Sequence, residues 1–328
     1  MDGRPMFDDR VEDFGRTRLF EQQRSRLRGI AYRMLGALGD AEDIVQEAFL
    51  RWHAADAAAI RSAEAWLVAT TTRLAIDRLR SAAAERRAYV GQWLPEPWPG
   101  DVDDGVAPDR RLERAADLSV AFLLLLERLR PEERAAFLLR EVFEVAYAEI
   151  ADSLGRSEPA CRQLVHRARA RLRAGRPRLI SSRAEHRRLL ERLLQAIEVG
   201  DQDRLLALLA PDAALISDGG GKVLSARNVI QGADRVARFL LGVARKTPTL
   251  SHEIVLINGT AGVVRREGDE VHSTLSIACD ASAVHAVYVM RNPDKLRRIG
   301  AAPQAARALC CHSRSVSSVF AREDASSR

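Results

Sequence analysis

Long apolar runs, paired cysteines and phosphate-loop motifs are all missing from this 328-residue chain. No uninterrupted apolar stretch approaches the roughly 20 residues that cross a bilayer. The longest candidate, Val120 to Leu126, has the length of a buried helix segment. The opening "MDGRPMFDDR" has no apolar core, so neither a secretory signal nor a membrane role is expected, and the cytoplasm is the expected compartment. The four cysteines are Cys161, Cys279 and the adjacent Cys310 and Cys311, with no CxxC and no histidine at a zinc-ligand interval from them. Those spacings give no support to a structural metal or a disulfide framework. A phosphate loop needs GxxxxGK followed by Ser or Thr. The one tempting stretch, "DGGGK" at 218–222, continues into Val223 and Leu224 and has no glycine five residues before Gly221. No cofactor is therefore expected.

What is present suits a folded soluble protein of two or three domains, 47% hydrophobic. The net charge of +6 favours an anionic partner, and its distribution says more: basic residues crowd into 156–188 while 201–220 is mildly acidic. Residues 19–88 read as helices. Ala41, Ile44, Val45, Ala48, Phe49 and Trp52 recur at steps of three and four behind Asp40 as N-cap, and a second helix covers about Ala63 to Ala84. Residues 91–110 hold four prolines and read as a linker. Trp93, Leu94 and Trp98 are costly to leave in water, so this linker is expected to pack on something. Helices resume from about Leu112 to Ala174, until "RAGRPR" breaks the pattern at Gly175 and Pro177. After a helix around 183–199 and another past Gly200, the runs "AALIS", "HEIVLINGTAGVVRR", "VHSTLSIACD" and "AVHAVYVMR" read as strands. Helices followed by strands indicate a separate α+β domain. The tail after Gly300 has no periodicity and is expected to be poorly ordered.

The stretch "VAYAEIADSLGRSEPACRQLVHRARARLR" at 145–173 is the most informative. Ile150, Ala151 and Leu154 are the buried positions of a first helix, and Gly155 permits a sharp turn. Ser157 caps a second helix with Glu158 and Pro159 in its first turn. Cys161, Leu164, Val165, Ala168 and Leu172 then face inward, leaving Arg162, Gln163, His166, Arg167, Arg169 and Arg173 on the opposite face. This is a helix-turn-helix, whose second helix enters the major groove by its N-terminal end. Arg162 and Gln163 are placed to reach base edges and the later arginines to reach phosphates. An arginine-rich solvated face on a bundle helix is the bland alternative.

Upstream, Asp43, Gln46, Glu47 and Leu50 form a compact acidic patch with an apolar centre, which DNA would repel and a basic protein partner would accept. On charge alone an ordinary solvated face accounts for it as well. Arg73, Asp77 and Arg80 share a face of the next helix, flanked by Arg78, a pattern suited to single-stranded or melted DNA. Taken together, "YRMLGALGDAEDIVQEAFLRWH", "AWLVATTTRLAIDRLRS" and "RLRPEERAAFLLREVF", leading into the helix-turn-helix, resemble an extracytoplasmic-function (ECF) sigma factor over about residues 19–175. The resemblance implies that Asp43, Gln46 and Glu47, with Leu50 at the centre of their patch, bind the β′ clamp helices of core RNA polymerase, whose β subunit is a further implied contact. It implies that Arg73, Asp77, Arg78 and Arg80 sit near the −10 promoter element, and that Ser157, Arg162, Gln163, His166, Arg167 and Arg169 meet the −35 element.

"WLPEP" (Trp93, Leu94, Pro95, Glu96, Pro97), "DGGGK" and "NPDKL" at 292–296 are similar to the marks of the group that carries a fused SnoaL-like domain, a cone-shaped α+β fold thought to modulate polymerase binding and promoter opening. The expected architecture is thus two all-α domains, the second with the helix-turn-helix, followed by the SnoaL-like domain: 1–90, a Pro-rich linker at 91–111, 112–178, 179–300, and a tail at 301–328. The glycines of "SDGGGKV" permit positive φ and close approach. Asp218, Gly219, Gly220, Gly221 and Lys222, with Asn292, Pro293, Asp294 and Lys295, are expected to contact the linker or the first domain and to set the spacing of the DNA-binding domains. Two rivals remain. One is a helix-turn-helix regulator with a ligand-sensing C-terminal domain, and a small-molecule ligand there is possible under either reading. The other is isomerase or cyclase chemistry within 183–300, for which Asp218, His252, His272, His285 and Tyr288 are conceivable parts.

Overall fold

A computed structural model describes residues 8–100, 118–173 and 182–301. The linker beyond Gly100, the break at Gly175 and Pro177, and the tail past Ala301 lie outside the described residues. Helices α1 (Asp8–Leu35), α2 (Leu38–Ala54) and α3 (Ala63–Arg87) form the first unit. The stripe read from the sequence is the buried face of α2, extended by Leu38, while Phe49 packs against it half-buried. Helix α2 begins earlier than Asp40. The chain turns at Gly36, where φ is +66°, and the Glu96 carboxylate accepts the Leu38 amide at 2.7 Å, so a residue far along the chain serves a helix start that has no cap of its own. Asp40 pairs instead with Arg78 at 3.1 Å.

The second unit holds α4 (Val120–Leu126), α5 (Pro131–Glu141), α6 (Tyr147–Leu154) and α7 (Glu158–Arg173). It shares one continuous apolar core with the first, from Phe20 in α1 to Leu172 in α7. The third unit begins with α8 (Arg183–Val199) and α9 (Gln202–Leu208). Then come β1 (Leu209–Asp218), β2 (Ile230–Gln231), α10 (Ala233–Lys246), β3 (Ser251–Ile257), β4 (Thr260–Glu267), β5 (Glu270–Cys279), β6 (Val284–Met290) and α11 (Pro293–Ala301). The sheet order is β2-β1-β6-β5-β4-β3, with β1 and β6 parallel and every other pair antiparallel.

One face of this sheet is covered by α8, α9 and α10 through residues such as Leu190, Leu205, Val236, Leu275 and Val287. The other face packs on Leu94 of the linker, on Val120 and Ala121 of α4, and on Leu296 of α11. Helix α4 reads "VAFLLLL" because both of its sides are covered: Phe122, Leu123 and Leu126 enter the helical core while Val120 and Ala121 face the sheet.

The linker segment 93–100 threads between the units, buried from Leu94 to Trp98. Its end runs antiparallel to the edge strand β3, where Asn258 N donates to Trp98 O at 2.8 Å and Gly100 N to Leu256 O at 2.9 Å. That pairing covers backbone groups an edge strand would otherwise leave open. Asn258 and Gly259 make the two-residue β3–β4 turn, both at positive φ, as an Asn-Gly hairpin turn requires. The buried Asn258 amide then joins all three units. It donates to Tyr32 Oη (2.6 Å) and Leu118 O (3.0 Å) and accepts from Trp98 N (3.1 Å). Asn258→Gly keeps the turn geometry and deletes these three bonds. The expected loss is about 2–3 kcal/mol at about 1 kcal/mol per bond, read as a lowered urea midpoint with the secondary structure unchanged.

Candidate nucleic-acid interface and its regulatory contacts

The turn between α6 and α7 forms as its residues require. Gly155 adopts φ +62°, Ser157 Oγ accepts the Ala160 amide at 3.4 Å, and Cys161, Leu164, Val165, Ala168 and Leu172 are buried. Arg162, Gln163, His166, Arg167, Arg169 and Arg173 are exposed on the opposite face of α7. Several of these arginines are paired locally. Arg162 meets Glu158 at 3.0 Å and lies over the Tyr147 ring at 4.4 Å, while Arg169 meets Glu141 at 2.7 Å. Arg167 and Arg171 share the buried Glu133 of α5. The exposed pairs of Arg162 and Arg169 contribute little, so those two arginines can exchange them for phosphates, whereas Arg167 and Arg171 neutralise a buried carboxylate.

On α3, Arg73 and Arg80 of the expected DNA residues are engaged by the second unit. Arg73 donates from Nε to Ser153 O (2.8 Å) and from Nη2 to Asp152 O (2.6 Å), both on α6. Arg80 reaches Glu132 of α5 at 2.5 Å and Asp77 at 3.2 Å. Arg78 is turned to Asp40 and Glu85. The patch on α2 stays open: Asp43 and Gln46 are exposed, Leu50 is 55% exposed, and among the described residues half-buried Glu47 pairs along its own helix with Arg51 at 2.8 Å.

The three short motifs converge on one carboxylate. Asp218 is fully buried, and its two oxygens accept from four donors: Tyr89 Oη (2.6 Å), Leu94 N (2.9 Å), Gly220 N (2.9 Å) and Lys295 Nζ (2.7 Å). The Asp218 carbonyl accepts the amides of Arg291 (2.7 Å) and Asn292 (2.9 Å). Asn292 Nδ2 donates to Tyr89 Oη at 2.8 Å, and Lys295 Nζ also reaches Leu94 O at 2.7 Å. Burial is the main force pushing the Tyr89 phenol up, with Asp218 adding to it, so the phenol stays a donor. Burial holds the Lys295 ammonium below its ordinary value, against the pull of Asp218.

Lys295 lies over the Trp93 ring at 4.5 Å, and Arg86 of α3 lies over the same ring at 4.0 Å. Gly36 leaves room for that indole, since a Cβ there would stand 2.6 Å from Trp93. The glycines of the loop have the same purpose. Gly220 and Gly221 take positive φ, and side chains there would strike Asn292 and press on Val90. Lys222 pairs with Asp294 at the loop's outer edge, and Arg298 of α11 spans Glu42 (2.7 Å) and Glu96 (3.3 Å). Pro95 and Pro97 are buried on either side of Glu96.

Comparison with known proteins decides the family. The description "Sigma-70 region 2" matches residues 19–85, and "Sigma-70, region 4" matches 119–172. The ECF RNA polymerase sigma factor SigJ of Mycobacterium tuberculosis is 41% identical over 84% of this chain and 91% of its own length. A probable ECF sigma factor, SigI, of the same species is 32% identical over 83% of this chain and 92% of its own. The crystal structure of SigJ matches with a TM-score of 0.67 and 33% identity, covering 87% of this chain and 98% of that one. The chain belongs to the ECF sigma factors.

The region 2 match sets aside the reading as an ordinary helix-turn-helix regulator. In this sigma factor the parts considered for isomerase or cyclase chemistry do not converge. Asp218 and Tyr288 face the helical units. His252 lies on the helix-covered side of the sheet beside Glu198, His272 is held by Arg291 (2.9 Å) and Ser273 (3.3 Å), and His285 is bound to Asp280 (2.7 Å) near the far hairpin. Sequence reasoning missed Tyr32, Arg86, Tyr89, Asn258 and Arg298, because each acts on a partner distant in the chain; only Asn258 carried a local signal, the Asn-Gly pair of a hairpin turn. Asp218→Asn weakens the Lys295 pair while keeping shape. The expected cost is about 3 kcal/mol for a buried charge left without its partner, read by urea denaturation. Adding Lys295→Met should recover most of it. A single-variant cost indistinguishable from zero would show that the pair does not hold the contact.

Proposed function

We propose that this sigma factor, which directs RNA polymerase to promoters, is held closed by its own C-terminal domain. The observation that carries the reading is Arg73, an expected −10 contact, bonded to Ser153 and Asp152 in the first helix of the helix-turn-helix. The −10 and −35 elements lie about 25 base pairs apart by name, or about 85 Å of B-DNA at 3.4 Å per base pair. Regions 2 and 4 share one core in this chain, so the same arrangement cannot meet both elements. Opening must separate α3 from α6 and carry α4 off the sheet. Asp43, Gln46, Glu47 and Leu50 would engage polymerase first, being open in the closed state. Arg73, Asp77, Arg78 and Arg80 would meet the −10 region once freed, and Ser157, Arg162, Gln163, His166, Arg167 and Arg169 the −35 region. The closed and open states differ in free energy by the contacts of the linker segment 93–100 (the strap) and of the Asp218–Lys295 pair (the latch), and a partner shifts that balance only by binding the open form better.

In-vitro transcription with core polymerase tests the function, and promoter-specific initiation by the full chain is expected. Asp43→Arg combined with Glu47→Arg should weaken core binding at least tenfold without changing the fold. Lys295→Glu places two carboxylates together at the latch and should raise core affinity at least threefold, with a larger radius of gyration in small-angle scattering. Unchanged affinity and unchanged size in that variant would remove the latch reading while leaving the sigma assignment intact.

A further inference from the structure

Glu133 is a carboxylate buried inside region 4, on the first turn of α5, with its side chain 3% exposed. Its Oε2 accepts the Arg130 amide at 3.2 Å, which serves the open start of that helix. Its other partners come from one edge of α7. Arg167 Nε donates to Oε1 at 3.4 Å, and Arg171 pairs with Oε2. A carboxylate buried to this degree is tolerated only when cations and donors meet it. The packing of α7 on α5 therefore carries a charged contact that breaks if the recognition helix turns.

Positions 167 and 171 stand about 6 Å apart along the helix axis and about 40° apart around it. Two charged anchors at that spacing fix both the roll of α7 and its slide along α5. With side chains a helix is about 5–6 Å in radius, so a roll of about 20° moves a side-chain tip by about 2 Å. Such a shift breaks the bidentate contacts through which base edges are read. Arg167 spends only Nε on the pair. Its two terminal nitrogens have no partner among the described residues, and its side chain stays 53% exposed. Near the start of α7, Arg162 lies over the Tyr147 ring at 4.4 Å, and Arg140 of α5 lies over the same ring at 4.8 Å. All the partners of Glu133 belong to region 4, so its contacts persist when regions 2 and 4 separate.

We infer that Glu133 is a positioning residue for promoter recognition: without touching DNA it sets the roll of α7, and with it the base edges that Arg162, Gln163 and Arg167 meet. Arg171 belongs to the same device and acts on the protein rather than on a phosphate. The inference rests on the reading of α7 as the −35 helix, and it adds a determinant of sequence specificity that lies outside that helix.

Holoenzyme assembled from the full chain and core polymerase first selects duplexes from a random-sequence pool. The enriched duplex and a shuffled one of the same composition are then the probes for fluorescence anisotropy over a salt series. Glu133→Gln keeps an acceptor for the Arg130 amide and removes only the charge. It should lower the preference for the enriched duplex at least fivefold and leave the salt slope unchanged, because no phosphate contact is lost. Arg171→Met should do the same. Arg169→Ala is the contrast: both duplexes weaken and the slope falls by about 0.9, the value of one phosphate contact. Circular dichroism confirms folding, and if Glu133→Gln does not fold, Arg171→Met decides. An unchanged preference, or an equal loss on both duplexes, overturns the positioning role. A slope lowered by about 0.9 in Arg171→Met makes that arginine a phosphate contact and overturns its place in the device. Wild-type holoenzyme that enriches no duplex removes the −35 reading and this inference with it.

Discussion

A carboxylate has about four lone-pair positions, and the two oxygens of Asp218 meet four donors. They come from the end of the first unit (Tyr89), the linker (Leu94), the glycine loop (Gly220) and the last helix (Lys295). A buried charge is tolerable only when its hydrogen-bonding capacity is met. Each of these donors therefore depends on the other three being in place, and the position of the linker depends on all of them. Trp93 is then stacked between Lys295 and Arg86, and Glu96 is delivered to the start of α2.

The polar contacts between the units fall into two classes. Between regions 2 and 4, the polar contacts at the expected DNA residues are largely exposed, such as Arg80 with Glu132, and such pairs are weak and screened by salt. Around the linker they are buried: Asp218, Asn258, Glu96 and Tyr32 are all nearly inaccessible. The buried polar contacts thus gather where the C-terminal domain grips the linker, while regions 2 and 4 meet through their shared apolar core and exposed polar pairs. Under the proposed opening, the linker is the segment whose release breaks the most buried polar contacts.

Much of this was legible in the residues alone. The stripe of α2, the turn at Gly155 and the buried side of α7 all appeared at the expected positions, since helical periodicity is a local property. The β-branched runs became β1 and β3 to β6 for the same reason. The start of α2 was misplaced because its amide is served by Glu96, a partner that no local window contains. The cost of exposing Trp93, Leu94 and Trp98 signalled that the linker packs, without naming its partners.

By itself the sequence determined most of the helices, the longer strands and the one-sided arginines of α7, which rest on spacing and residue type over short distances. The family was legible as a resemblance of whole motifs, and α10, α11 and β2 were not read at all. Only the tertiary structure decided that Arg73 is bonded to α6, that α4 has two covered sides, and that Asn258 joins three units. It also decided that Asp218 is saturated by donors from across the chain. The physical reason is that a buried polar group takes partners by proximity in space, and local sequence pattern carries no record of which distant segment will come within 3 Å.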